Sequence, residues 1–505
     1  MSIDVSCTVP ASPAEAWRYL AAPGALRRLS PPFLPLRPVR EASSLRDGEA
    51  VLEPRTALPG PLASRFGPRW VARHDPRGYV DGERFVDRCV SQPYAAATGW
   101  VHEHTVTPGP DGTAVLGDRV EARVPEAMLT RMFAYRYRQM AADLHTIARF
   151  GAASPSVEAP DPPSAAAPSA PLTVAVSGAS GLVGSALTAL LGVAGHRVIR
   201  LVRPGGPLDV GGDDAGGDCA GGGRGGGADD DDSHSASGHR AERVWDPTAP
   251  APDLLDGVDV LVHLAGASIA GRFTEAHLRK VRDSRIEPTR RLAELVAARE
   301  GATAMVCASA VGFYGADRGD EPLTESAAAG TGPLAGIVTE WERACAPAGQ
   351  AGARVVTIRT GVVLSAAGGM LPPLAAITRT GLGGRLGSGR QWMSWISLDD
   401  LVDVYLRAVV DPATAGVVNA TAPEPVTNAE FTRVLGRVLR RPTVVPVPGW
   451  APGLVLGSRG ADELALADQK VLPTALTGAD HQFRYPDLRA ALDHELGAQD
   501  RPTVL

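Results

Sequence analysis

Cysteine is scarce in this chain and scattered where it occurs. Cys7, Cys89, Cys219, Cys307 and Cys345 are five among 505 residues, an odd number with no CxxC or Cys/His spacing. That pattern argues against a cysteine-built metal site, so no metal is expected, and it suits a reducing, cytoplasmic setting in which most thiols are buried as small apolar groups. Long apolar runs are also missing. None reaches the roughly 18 residues needed to cross a bilayer, so no membrane span is expected. The start, Met1-Ser2-Ile3-Asp4-Val5, lacks the basic flank and apolar core of a signal peptide. There is no basic excess either. A net charge of −6 leaves no footprint for nucleic acid. What remains, 44% hydrophobic and 21% charged residues, is ordinary for a globular protein, and the length allows about two to four domains.

Two stretches are too poor in apolar residues to build a core. Residues 151–171 are rich in Ala, Pro and Ser and read as a semi-extended linker. Residues 204–241 are rich in Gly and Asp, including Asp229–Asp232, and read as a disordered surface insertion. Loop closure entropy grows slowly with length, so such an insertion is tolerable.

Between them lies the most informative segment, Thr173 to Leu187. An apolar strand runs into Gly178-Ala179-Ser180-Gly181-Leu182-Val183-Gly184 and then a helix, expected over Ser185–Leu191. In a nucleotide site the first glycine permits the tight turn, the second lets backbone approach a pyrophosphate, and the third lets helix and strand pack closely. Ser180, Leu182 and Val183 complete the turn, and free N–H groups at the helix N-terminus favour phosphate. The competing reading is a plain tight turn. A second strand, Arg197–Val202, ends near Arg200 and Arg203 with no acidic residue. An acid there would bind the ribose 2′-OH of NAD, whereas an arginine suits the 2′-phosphate of NADP, and Arg203 is the better placed. Both could instead be solvated arginines at a strand edge.

The first 150 residues read as a separate unit. Ile3, Val5, Cys7 and Val9 alternate as in a half-buried strand. Ser12, Pro13 and Glu15 spell a capping box with proline at the first helical position. Strand-like runs follow at Arg69–Arg73, Glu83–Val90, Gly99–Val106 and Thr113–Ala122. A long helix, Pro125–Phe150, carries an apolar stripe of Leu129, Phe133, Tyr137, Met140, Leu144 and Ile147. This α+β pattern lets a curved sheet wrap a helix.

With Pro10–Trp17, Leu29-Ser30-Pro31-Pro32 and Arg131–Arg136, this unit resembles the START-like, polyketide cyclase-type helix-grip superfamily. The resemblance implies a hydrophobic ligand between sheet and helix, although Met132, Phe133 and Met140 could simply fill a core. From Leu172 to about Leu496 the chain resembles the atypical short-chain dehydrogenases/reductases of the "epimerase family", nucleoside-diphosphate-sugar-epimerase-like proteins. The marks are Val244-Trp245-Asp246-Pro247, His263-Leu264-Ala265-Gly266, Ser284-Arg285, Ser309–Gly315, Arg359–Leu364, Gly387–Gln391 and Trp395–Asp400. Gln469–Pro473 and Phe483–Leu488 mark a small C-terminal domain. The expected architecture is thus a helix-grip domain over 1–150, a linker over 151–171, and a doubly wound α/β Rossmann domain over 172–440 that contains the insertion. A C-terminal domain over 441–496 completes it.

The resemblance also suggests roles. Leu264, Ala265 and Gly266 follow the apolar strand Val258–Leu264, at the end where open α/β sheets bind ligands, so small residues there let the cofactor lie across the strand tip. Ser309, ending the strand Ala302–Ser309, falls where a Ser or Thr bonds the substrate's reacting oxygen, though it could be a loop serine bonded to backbone. The usual Tyr-x-x-x-Lys pair, which moves a proton and holds the nicotinamide ribose, is absent. With the register fixed by Pro333 and Glu342, Leu334 and Val338 stand at its positions on the helix Gly332–Cys345. Tyr314 is the nearest substitute acid by sequence. Arg285, Arg385 and Arg390 suit an anionic substrate, or serve as structural and solvated arginines. Trp392 and Trp395 could stack on a ring. Asp399 and Asp400 open a helix. The expected function is an NADP-dependent oxidoreductase or epimerase acting on a small-molecule substrate. Its rival is a non-catalytic NADP-binding sensor or scaffold, and a homodimer is left open.

Overall fold

Alternation of buried and exposed side chains shapes the first unit of the computed structural model, which describes residues 2–55, 68–150, 170–204, 241–299, 301 and 303–498. The linker 151–171 and the insertion 204–241 fall almost wholly outside the described residues, as does Cys219. Seven antiparallel strands form one sheet: β1 (Ser2–Val9), β2 (Leu36–Arg40), β3 (Glu49–Pro54), β4 (Trp70–His74), β5 (Arg84–Cys89), β6 (Val101–Pro108) and β7 (Ala114–Glu121). Their order is β1-β7-β6-β5-β4-β3-β2. The capping box forms as expected, with Ser12 and Glu15 bonding each other's backbone ahead of the helix Pro13–Ala21. The long helix, Glu126–Phe150, buries Leu129, Phe133, Tyr137, Met140 and Leu144 against the sheet. Two strands, β2 and β3, were not expected. β2 contains Pro38 and shows a register shift beside it, and an edge strand is where a sheet tolerates proline.

The second unit is a parallel sheet of seven strands. It comprises β8 (Thr173–Ser177), β9 (Arg197–Val202), β10 (Ala241–Val244), β11 (Val260–His263), β12 (Ala304–Ala310), Val355–Thr360 and Gly416–Ala420. The spatial order is β10-β9-β8-β11-β12, then Val355–Thr360 and Gly416–Ala420. Strand order therefore reverses between β8 and β11, the crevice where doubly wound sheets bind ligands. The C-terminal segment adds the strand Asp468–Val471, paired with Asp317–Leu323, and the helix Leu488–Leu496.

The helix after β8 spans Leu182–Val193, longer at both ends than expected. Glycine inside a helix ordinarily weakens it, but here each serves a close contact. A Cβ on Gly184 would lie 2.2 Å from the Gly178 carbonyl oxygen, and one on Gly192 would lie 2.2 Å from that of Pro23. Pro23 belongs to the first unit, so the two units touch backbone to backbone. One hydrophobic core runs through both, from Tyr19 and Leu144 to Leu190 and Val174.

Buried charge also crosses the junction. Asp143, on the long helix, accepts from Arg28 at 2.6 and 2.9 Å, from Tyr19 at 2.7 Å and from Arg484 at 2.6 Å. Arg484 also donates to Asp403 at 2.6 Å, and Arg28 pairs with Asp399 at 2.8 Å. Asp399 and Asp400 do open a helix, Leu398–Val410, but both are buried in this network.

Nearby Glu495 is buried and accepts from the Ala366 amide at 2.7 Å. Burial, with the Asp399 charge, pushes its carboxyl up to about 8. In the unfolded chain it titrates near about 4.3, so between those values the folded state holds a proton that the unfolded state has released. Stability is therefore lost as pH rises through this window. Glu495→Gln removes that titration, so its melting temperature is expected to fall less than the wild type's between about pH 5 and about pH 8. Asp400, pushed up to about 7 by burial, keeps part of the slope in the variant. Equal slopes for both proteins would refute this assignment.

Candidate functional site

The glycine turn sits at the strand-order reversal. Gly178 has φ +70°, and a Cβ there would meet the Ala265 nitrogen and the Leu264 carbonyl at 2.8 Å. The turn after β8 thus presses on Leu264 and Ala265 at the end of β11, with Gly266 exposed beside them. Gly181 is the N-cap of the helix Leu182–Val193, and no side chain caps it. Ser180 and Gly181 are exposed, and Leu182 and Val183 half-buried. First-turn amides lacking a capping side chain, at the positive end of a helix, form an anion cradle. Below it lies His263, fully buried, its Nδ1 sharing a 2.6 Å hydrogen bond with Ser177 Oγ. Burial, helped by the Arg285 charge, pushes this imidazole down to about 4, so at neutral pH it adds no charge.

At the same end of the neighbouring strand β9, the two arginines separate. Arg200 is buried and paired with Glu242 at 3.1 Å. Arg203 is exposed.

Around the end of β12, side chains close on one another. Ser309 Oγ donates to Glu342 Oε1 at 2.6 Å, and Arg359 donates to both oxygens of Glu342 at 2.8 Å. Arg359 also donates to the Tyr314 hydroxyl at 3.0 Å and lies over the Phe313 ring at 3.4 Å. The Tyr314 hydroxyl in turn donates to Asn419 Oδ1 at 2.7 Å. Tyr314 is completely buried, and burial raises its pKa against the opposing pull of Arg359 and Asn419. Tyr314, the nearest substitute acid by sequence, thus sits in the core with its hydroxyl hydrogen bonded to Asn419 and Arg359. Ser309 holds the strand end expected of it, but its proton goes to Glu342. Leu334 and Val338 are buried, each with a side-chain atom 3.8 Å from where a Cβ on Gly312 would sit. Glu342, Arg359 and Asn419 are the members that sequence reasoning gave no role. Their signal was the Glu342 used to fix the helix register.

Two of the other arginines bond the protein's own backbone. Arg285 donates to the carbonyls of Ala267 at 2.9 Å and Val281 at 3.1 Å, and lies 5.2 Å over the Trp341 ring. It braces the loop after β11. Arg385 donates to the carbonyls of Gly387 and Ser388, closing its own loop. Arg390 is exposed. Trp395 is a core residue bonded to the Glu424 carbonyl, and Trp392 stacks under Lys470.

Among the described residues, the ligand expected inside the first unit has little room there. Phe133, Tyr137 and Met140 fill the interior, and a cavity of about 20 Å³ beside Leu29 and His104 suffices for one water. A cavity of about 660 Å³ lies instead at the junction, between Val9, Arg138, Phe150 and Phe483. No helix among the described residues is long and apolar enough to cross a membrane.

The sheet order and glycine turn define a Rossmann-type nucleotide-binding fold. Residues 174–420 match the NAD dependent epimerase/dehydratase family, and residues 447–495 match a domain of unknown function, DUF1731. An epimerase family protein of Mycobacterium tuberculosis is 42% identical over 321 residues, 63% of this chain and 95% of that protein. The chain belongs to the epimerase family. A crystal structure of a nucleoside-diphosphate sugar epimerase from Corynebacterium glutamicum is similar across 98% of this chain and 90% of its own, with 40% identity and a TM-score of 0.77. Human epimerase family protein SDR39U1, solved with NADPH, is similar across 64% of this chain and 99% of its own, with 30% identity and a TM-score of 0.53.

Proposed function

We propose that the second unit binds NADP(H) at the glycine turn and acts on a small substrate as an atypical oxidoreductase or epimerase. The observation that carries this reading is the fit of backbone to backbone at Gly178 and Gly184, where a Cβ would lie 2.2–2.8 Å from main-chain atoms. That construction leaves the uncapped helix end free for a pyrophosphate. Arg203, exposed where the adenine ribose would lie, takes the 2′-phosphate, and Leu264, Ala265 and Gly266 form the floor under the cofactor. When bound, the nicotinamide supplies hydride exchange. Ser309, held by Glu342, orients the substrate oxygen, and Arg390 is the cation open to an anionic group.

Calorimetry with NADPH and NADP⁺ on the full chain tests the cofactor. Arg203→Asp is expected to shift preference from NADPH toward NADH by about tenfold or more. An unmoved preference would remove the role given to Arg203.

A second reading is favoured by the burial of Leu334, Val338 and Tyr314. With those positions closed to proton transfer, the domain would bind NADP(H) as a sensor or scaffold. Loss of reduced-nicotinamide absorbance with a panel of carbonyls and sugar nucleotides separates the two: turnover supports the enzyme, and tight binding without turnover supports the sensor.

We also assign the first unit, over 1–150, to the START-like helix-grip type. The long C-terminal helix laid across an antiparallel sheet supports this. The second unit is taken as 172–440, with the small C-terminal domain over 441–496.

A further inference from the structure

The inner face of the first sheet carries four buried ionisable groups that the nucleotide site does not use. His102 and His104 are two apart on β6 and so share a face. Asp87 on β5 lies directly opposite His102, and Asp118 on β7 directly opposite His104. All four are buried. A single oxygen, Asp118 Oδ1, lies 2.7 Å from His102 Nε2 and 2.8 Å from His104 Nδ1. As the acceptor of both ring N–H groups, it turns the opposite nitrogens toward Asp87. Asp87 Oδ2 lies 3.4 Å from His102 Nδ1 and 3.3 Å from His104 Nε2. The spare oxygens are fixed elsewhere, Asp118 Oδ2 by the Tyr137 hydroxyl at 2.7 Å and Asp87 Oδ1 by Trp100 Nε1 at 3.1 Å.

With neutral imidazoles, three lone pairs then converge with no hydrogen between them. Buried acceptors facing one another are unfavourable unless a proton on each ring or a metal cation joins them. Ligand atoms around a tetrahedral ion with bonds of about 2.0–2.1 Å stand roughly 3.3–3.4 Å apart, which matches the two Asp87–imidazole distances. A carboxylate on the far nitrogen of each ring is how metal-ligating histidines are oriented. The cavity of about 20 Å³, lined by His104 and Asp118 among others, adjoins the cluster and has room for one water.

We propose that Asp87 Oδ2, His102 Nδ1 and His104 Nε2 bind one divalent transition-metal ion of the zinc class, with Asp118 as the orienting carboxylate. Two carboxylates and a dication leave the buried site neutral. The absence of metal spacing among the cysteines has no bearing on this cluster, because its ligands are two histidines of β6 and an aspartate of the neighbouring β5. Zinc suits an imidazole and carboxylate set of this kind.

The test uses the full chain, stripped with a chelator, reloaded with Zn²⁺ or Co²⁺ and desalted. Elemental analysis is expected to find one ion per chain, and Co²⁺ to give the intense visible bands of a four-coordinate site. Asp87→Asn keeps the side chain's shape and an acceptor for Trp100, and is expected to abolish retention. Asp118→Asn is expected to weaken affinity about 10–100-fold. Near-UV circular dichroism verifies the fold of each variant. A natively folded wild-type chain that retains no ion overturns the proposal and leaves a pair of imidazolium–carboxylate bridges. Retention unchanged in folded Asp87→Asn also overturns it. If Asp87→Asn does not fold, His104→Gln under the same readouts takes its place.

Discussion

Replacing Arg484 with alanine is expected to destabilise the protein by about 3–5 kcal/mol, the range for breaking a buried ion pair from one side. The guanidinium donates to Asp403 and Asp143 and, at 3.2 Å, to Thr146. Without it Asp403 stays buried with no cation among the described residues in hydrogen-bond reach, and Asp143 keeps Arg28 as its one hydrogen-bonded cation among them. Burial raises the carboxyl of Asp143, yet the Arg28 and Arg484 charges outweigh that and hold it below its usual range. Arg484→Lys is expected to rescue little, since an ammonium cannot bridge two carboxylates as a planar fork does. Chemical denaturation followed by fluorescence and circular dichroism measures the loss. Asp143 lies in the first unit and Asp403 in the second, so the variant should also split one transition into two. A loss under about 1 kcal/mol with a single transition would mean that this network adds nothing beyond its own desolvation.

The second large effect is on cofactor binding. Gly181→Asp should weaken NADPH binding at least about 100-fold, or roughly 2.7 kcal/mol, while leaving the melting temperature unchanged or higher. Gly181 has the extended backbone of an N-cap, with φ −72° and ψ 174°, a position where aspartate is favoured over glycine by a few tenths of a kcal/mol. The added Cβ would lie 3.3 Å from the Gly178 oxygen, which asks for a shift of a few tenths of an ångström. The new carboxylate would occupy the amides that we assign to the phosphate and repel it. Two such charges about 4 Å apart near a protein surface oppose each other by about 4 kcal/mol. A stable variant that still binds NADPH as the wild type does would place the pyrophosphate elsewhere.

How much of this could be read beforehand depends on how far apart in sequence the partners lie. The glycine turn was legible because its three glycines are local and each answers one steric demand. Strand β9 was legible to its exact ends because Arg197–Val202 is bounded by a turn and an arginine. The helix after β8 was expected too short because Gly184 and Gly192 look like helix breakers. Their cause, backbone at Gly178 and at Pro23, lies outside the helix pattern. The surroundings of Tyr314 were not legible, because sequence shows its hydroxyl but not its partner Asn419, 105 residues away. The Asp399–Asp400 pair signalled a helix start correctly. That the same carboxylates face Arg28 and Arg484 depends on contacts that no local pattern encodes.

The contact of Gly192 with Pro23 bears on how the nucleotide turn is aimed. The twelve residues Leu182–Val193 make a rod roughly 18 Å long. Its first turn faces the anion cradle, and its last is wedged under a corner of the first unit. The first unit is thereby an abutment for the rod, and loosening its seat would tilt the first-turn amides at the far end.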